Sequence, residues 1–160
     1  MKVIPAYPSE PRLLGLAEGV APDTDGESPA RSLLPVRVSD LGELVWRVVY
    51  EEPGPVLEVN RGLLAGTAYL RQAHFVALAQ IEVLRQILFE ALWRGGEEEG
   101  AESESWQTRW IKLGETLAGR ACDSDGDVND EHRDWIRDAC EAFARKREAL
   151  TKLNLMETES

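Results

Sequence analysis

Residues 75–93 read FVALAQIEVLRQILFEALW, with fourteen apolar side chains and five polar ones. On a helical wheel Arg71, Glu82, Arg85, Gln86 and Glu90 share an arc of about 140°, which leaves about 220° of apolar surface. A helix of that kind needs cover on several sides. Its pattern spans residues 68–94, with Thr67 placed to cap the start and Gly95-Gly96 to end it. Gly66 and the less apolar stretch 72–74 leave room for a break that would split the segment into two helices.

Upstream the period changes. Over residues 43–50, Leu44, Trp46, Val48 and Tyr50 alternate with Val45, Arg47 and Val49, the signature of a strand. Glu52-Pro53-Gly54-Pro55 supplies turn residues, and residues 56–60 place Leu57 and Val59 on one face, so the two runs predict a β-hairpin. Residues 34–38 (LPVRV) offer a third strand, which a marginal two-stranded ribbon needs. Downstream, Trp106, Trp110, Leu113 and Leu117 mark one helix, with Ser105 or Ser103 as cap and Gly119 as stop. Trp135, Ile136, Ala139, Cys140, Phe143 and Leu150 mark a final one, capped by Asp127 or Asn129. The predicted fold is α+β: a small antiparallel β-hairpin of two or three strands packed on a three- to four-helix bundle with a long central helix.

Composition sets the boundaries of that domain. Five prolines fall within residues 1–32, together with DTDGESP, so this stretch is expected to be an extended or disordered arm. Its apolar islands, Val3-Ile4 and Leu13-Leu14-Gly15-Leu16, are suited to docking on a neighbour. A single domain is expected over 33–153 and a frayed tail over 154–160. EEEGAESES, residues 97–105, reads as an acidic linker. The net charge of −11 divides into −2 for residues 1–34, −1 for 35–94 and −8 for 95–160, a balance that disfavours direct binding to nucleic-acid phosphates. Glu82, Arg85 and Glu90 inside the most apolar helix argue against a membrane span, and the N-terminus lacks a secretory signal, so a cytoplasmic protein is expected.

The chemistry-bearing residues are sparse. In residues 123–134, Asp123, Asp125 and Asp127 space oxygens as the first half of a calcium loop does. Val128 stands where that loop needs glycine, and Asp134 is shorter than its closing glutamate, so an acidic turn capping the next helix is the preferred reading and calcium the weaker alternative. No other cofactor is indicated. Glu82 and Glu90 are two helical turns apart, too distant to act as a dyad, and Glu82 with Arg85 and Gln86 reads as surface pairing. His132, near a helix start, is expected to be solvated. Cys122 and Cys140 each adjoin a carboxylate and are expected to be inert, reduced thiols. Arg145-Lys146-Arg147 suits the C-terminal dipole of the last helix. Five tryptophans are many for 160 residues; core packing is their first reading and an interface the second.

The order LPVRVSDLGELVWRV, PVLEVN, a W-x3-W helix and WIRDACEAF, spread over residues 33–144, resembles uncharacterised bacterial proteins that accompany DNA-modification or phage-defence genes. The resemblance implies a component of a defence system and carries no catalytic position. With no catalytic motif in the chain, the expected function is that of a non-enzymatic interaction subunit, with a protein partner or a homo-oligomer, no nucleic acid and no membrane. Phe89 and Trp93 are the expected interface residues, since the hairpin and the two Trp-bearing helices leave that side of the central helix for the arm or a partner. Two alternatives stand beside it. One is an enzyme whose site gathers Asn60, Arg61, His74 and Glu82 at the hairpin-to-helix junction. The other is an acidic nucleic-acid mimic, which needs the carboxylates of 97–104 and 123–134 on one face.

Overall fold

The computed structural model describes residues 33–95, 105–123 and 127–159, so the arm 1–32 lies outside the described residues. Strands β1 (Val36–Ser39), β2 (Trp46–Glu51) and β3 (Gly54–Asn60) form one sheet, followed by a 3-10 turn (Gly66–Arg71) and a π-helical turn (Phe75–Ala79). Four helices follow: α1 (Gln80–Arg94), α2 (Trp106–Ala118), α3 (Asp130–Arg147) and α4 (Ala149–Glu159). The fold is α+β, as the hydrophobic pattern predicts.

The hairpin forms with Glu51 opposite Gly54, so Glu52-Pro53 is its two-residue turn, one position earlier than Pro53-Gly54 would place it. Gly54 has φ +140°, and a Cβ there would meet Trp106 Cβ at 3.1 Å, so the backbone conformation and the approach of α2 both require glycine. Trp46, Val48 and Tyr50 pack toward the helices with the buried Leu57 and Val59. Leu44, expected on that same face, precedes β2 and is exposed.

The third strand corrects the expectation of an all-antiparallel sheet. The order is β1-β3-β2, with β1 parallel to β3. The link between β1 and β2 therefore crosses the end of the central strand. Asn60 pins it there: its side-chain amide donates to the carbonyls of Gly42 (2.8 Å) and Leu44 (2.6 Å), while its own N–H bonds Val45 O. Pro55 has no N–H to offer a ladder, and β1 begins pairing only at Leu57, beyond it.

The outer face of the sheet is held by charge. Glu58, in the middle of β3, is 5% exposed because Arg37 and Arg47 roof it from the flanking strands. Both guanidiniums are themselves about half exposed, so this is a surface cluster and not a buried ion pair. Glu58 accepts from Arg47 Nε at 2.5 Å, from Arg37 Nη2 at 3.0 Å and from Ser39 Oγ at 3.0 Å, and Arg37 also forks onto Glu51. The hydrogen bond from Arg47 is the largest cause holding the Glu58 carboxyl below its usual range, and that from Arg37 does the same for Glu51. Carboxylates depressed in this way contribute stability that is present above the unfolded value of 4.5 and lost as pH falls through the lower folded values. The unfolding midpoint should therefore drop steeply below about pH 4.5, and Glu58→Gln should flatten that limb of the profile. An equally steep limb in the variant would place the acid sensitivity elsewhere.

The helical segment 68–94 breaks in two, as its sequence allows, but Thr67 is not its cap. The 3-10 turn starts after Ala65 with no side-chain cap bond, and Gln72 is extended. The π turn accommodates one extra residue before α1, whose buried stripe is Gln80, Val83, Leu84, Ile87, Leu88, Ala91 and Leu92. Gln80 sits in that stripe because its Oε1 accepts from Arg147 Nε (3.3 Å) and Nη2 (3.2 Å). Arg147, assigned to the helix dipole by sequence, instead ties the end of α3 to the start of α1, and burial pulls its pKa down.

The three main helices meet at a glycine. A Cβ on Gly114 of α2 would lie 2.4 Å from the ring of Trp135 on α3 and 3.1 Å from Leu88 on α1. Ser105 caps α2 through Thr108 N–H, and left-handed Gly119 ends it. The helix that sequence runs on through Leu150 instead breaks at Glu148, in the left-handed region at φ 53°. α4 then buries Ala149, exposes Leu150 and continues to Glu159, so residues 154–159 are helical where fraying was expected.

Candidate groove between α1 and α3

The buried stripe of α1 is narrower than its apolar surface. Ile81 and Phe89, one step off that stripe, are only half-buried, and Trp93, a turn beyond Phe89, is 65% exposed. The other four tryptophans are buried or partly buried against the core, which makes Trp93 the exception. Phe89 and Trp93 stack on each other, centroids 6.3 Å apart and planes 15° from parallel. Stacking holds the exposed indole in place at low entropic cost.

Phe89 also belongs to an open groove of about 440 Å³ between α1 and α3. Ile81, Phe89, Ile136, Cys140 and Ala144 make it apolar, while Arg85, Arg133, Arg137 and Glu141 bring charge to it. Those cations stand out in a chain of net charge −11. Each pairs with a carboxylate three residues away on its own helix: Arg85 with Glu82, Arg133 with Asp130, Arg137 with Asp134. Exposed pairs of this spacing contribute only about 0.3–0.5 kcal/mol, so an incoming carboxylate could exchange with them at little cost.

Cys140 at the groove donates to Ile81 O, and burial pushes its thiol up to about 11. Burial does the same to Cys122, helped by Glu115 and Asp123. Both cysteines are outside any disulfide, and their high values suit inert thiols.

The residues suspected of dispersed catalysis are engaged separately. Asn60 is spent on the crossing loop, Glu82 on Arg85 and Gln86, and Arg61 and His74 are exposed. None of the four lines the groove. In the acidic turn, Asp123 and Asp127 are exposed, Asp125 lies outside the described residues, and no group of three potential metal ligands occurs among the described residues. The carboxylates of 97–104 also lie outside the described residues.

His132 is a correction. It is buried, 5% exposed, where solvation was expected. Asn129 caps α3 by accepting from the N–H groups of Glu131 and His132, and the His132 Nδ1 accepts from Asn129 N–H at 3.0 Å. Its Nε2 meets the Asp123 carbonyl, so the neutral ring with hydrogen on Nε2 satisfies both neighbours. Histidine here does the work that glutamate does in the usual capping box, which is why the residue pattern conceals it.

Among the described residues no helix is long and apolar enough to cross a membrane. Compared with protein-family models, curated proteins and solved structures, the chain matches none.

Proposed function

We propose that this chain is a non-enzymatic docking subunit whose α1–α3 groove takes an acidic, apolar segment of a partner protein. The observation that carries the reading is the Phe89–Trp93 stack, an aromatic pair held at the surface beside an apolar groove. Aromatic anchors beside apolar pockets dominate the energetics of protein interfaces, and arginines at the edge select a partner of opposite charge. The setting we propose is cytoplasmic, in a bacterial assembly of the defence type that the residue order of 33–144 resembles.

The test is capture of partner from the native host by the wild-type chain, by Trp93→Asp and by Leu64→Asp, with light scattering for mass. Leu64, a fully exposed apolar residue outside the groove, serves as the control. Loss of one captured protein with Trp93→Asp, at unchanged circular dichroism and with Leu64→Asp retaining it, is the expected result. The affinity loss should be at least about 2 kcal/mol, near 30-fold. A wild-type monomer that captures nothing, or capture indifferent to Trp93, would overturn the proposal. A doubled mass that reverts in Trp93→Asp would replace the acidic partner with a second copy of the chain.

A further inference from the structure

We infer that this chain pairs with a second copy of itself along the free edge of β2, the two strands running antiparallel about a two-fold axis at Val49. The surface is separate from the groove and the inference stands without it. The order β1-β3-β2 leaves β1 and β2 as edges, and the two differ. β1 is four residues long and starts behind Pro35, features that keep an edge from recruiting a further strand. β2 has six residues, WRVVYE, without proline or lysine, and pairs with β3 in unbroken register. Asn60 N–H bonds Val45 O, so along the alternating ladder Arg47, Val49 and Glu51 turn their backbone groups to β3, while Trp46, Val48 and Tyr50 turn theirs outward. Among the described residues nothing pairs with those outward groups.

The side chains choose the occupant. Centred on Val49, the antiparallel pairing sets Arg47 opposite Glu51 of the second copy and Glu51 opposite its Arg47, both on the outer face of the sheet. Moving the axis by one residue sets Arg47 against Val49 or Pro53, and moving it by two faces Arg47 with Arg47 or Glu51 with Glu51. One register alone is therefore complementary in charge. Both side chains have capacity for it, being 51% and 42% exposed. Arg47 bonds Glu58 through Nε only, leaving its terminal nitrogens to donate, and Glu51 holds Arg37 on two of its about four acceptor positions. Between the charge pairs, Val49 meets its copy and extends the apolar patch that it forms with its buried neighbour Val56. Two three-stranded sheets thereby become one continuous sheet. An edge contact of this size is small, so the dimer should depend on concentration and weaken with salt.

Sedimentation velocity of the full chain over a concentration series is the test. Wild type should move toward twice the monomer mass, and the amides of Val48 and Tyr50 should gain hydrogen-exchange protection severalfold as it does. Arg47→Glu and Glu51→Arg, each checked for folding by circular dichroism, should stay monomeric alone, because each sets like charges across the axis. Mixed in equal amounts they should restore the dimer, since all facing charges are then opposite. Val48→Pro removes an outward N–H and no bond to β3, and should also stay monomeric. A wild type monomeric throughout, a dimer that survives these variants, or charge variants that fail to complement on mixing would overturn the inference. So would a monomer whose Val48 and Tyr50 amides are protected at every dilution, which would put another segment of the chain on the edge. A dimer undone only by Trp93→Asp would move the contact to the groove and likewise overturn it.

Discussion

Trp135→Ala should cost about 3–5 kcal/mol of folding stability, the largest loss of any single truncation in the helical layer. Trp135 is 1% exposed, its ring fills the junction of α1, α2 and α3 over Gly114, and its indole N–H donates to the Arg120 carbonyl at 3.2 Å. Removing it opens a cavity that three rigid helices cannot collapse to fill, and it leaves that carbonyl without its donor. Gly114→Ala probes the same contact from the opposite side. Alanine gains about 1 kcal/mol of helix propensity over glycine, but a Cβ 2.4 Å from the Trp135 ring forces repacking that costs about 1–3 kcal/mol. The net effect in the wild-type chain should be destabilising. In a Trp135→Leu background the ring clash is gone, the 3.1 Å approach to the methyl end of Leu88 can relax into the vacated space, and the sign should reverse. Urea unfolding of the four chains in this double-mutant cycle is the measurement. The same cost for Gly114→Ala in both backgrounds would refute the ring contact as the reason for glycine.

Phe75→Ala should be nearly as severe, about 3–5 kcal/mol, and for a different reason. Phe75 is fully buried in the π turn and meets Trp46 of β2 edge-on at 6.4 Å and Tyr69 of the 3-10 turn at 5.5 Å. Those two edge contacts join the sheet and the irregular connector to the bundle, and aromatic pairs of this geometry add about 0.5–1.5 kcal/mol beyond area burial. Truncation should therefore loosen the sheet against the helices as well as lower stability. Near-ultraviolet circular dichroism and tryptophan fluorescence should change, while far-ultraviolet helicity persists below the unfolding midpoint. A variant that loses less than about 1 kcal/mol would mean that other contacts hold the sheet in place.

Much of this architecture is legible in residue order. The alternation Trp46, Val48, Tyr50 shows a half-buried strand, and Ser105, Gly119 and Asn129 mark helix ends whose unpaired backbone groups need those residue types. The parallel pairing of β1 is not legible, because alternation records which face a side chain takes and not the direction of the neighbouring strand. The signal was Asn60, whose amide reaches Gly42 and Leu44 only once the link has crossed the strand end. Gln80 and His132 were hidden for a related reason. Each is a polar residue buried by partners 67 and 9 residues away, Arg147 and the Asp123 carbonyl. The groove was half legible: Phe89 and Trp93 stand out on the wheel, but the wall contributed by α3 does not.

The sequence by itself determined the kinds of element, most of their ends, the acidic balance and the surplus of apolar surface on the helix 75–93, since all of these follow from local backbone chemistry and periodicity. Only the tertiary structure decided which part of that surplus stays uncovered. Packing α2 and α3 against α1 around Gly114 buries the stripe from Gln80 to Leu92 and leaves Ile81 and Phe89 in a groove edged by arginines, with the exposed Trp93 stacked on Phe89. That outcome depends on where three helices can approach one another, a property of side-chain volumes meeting across the chain and not of any one segment.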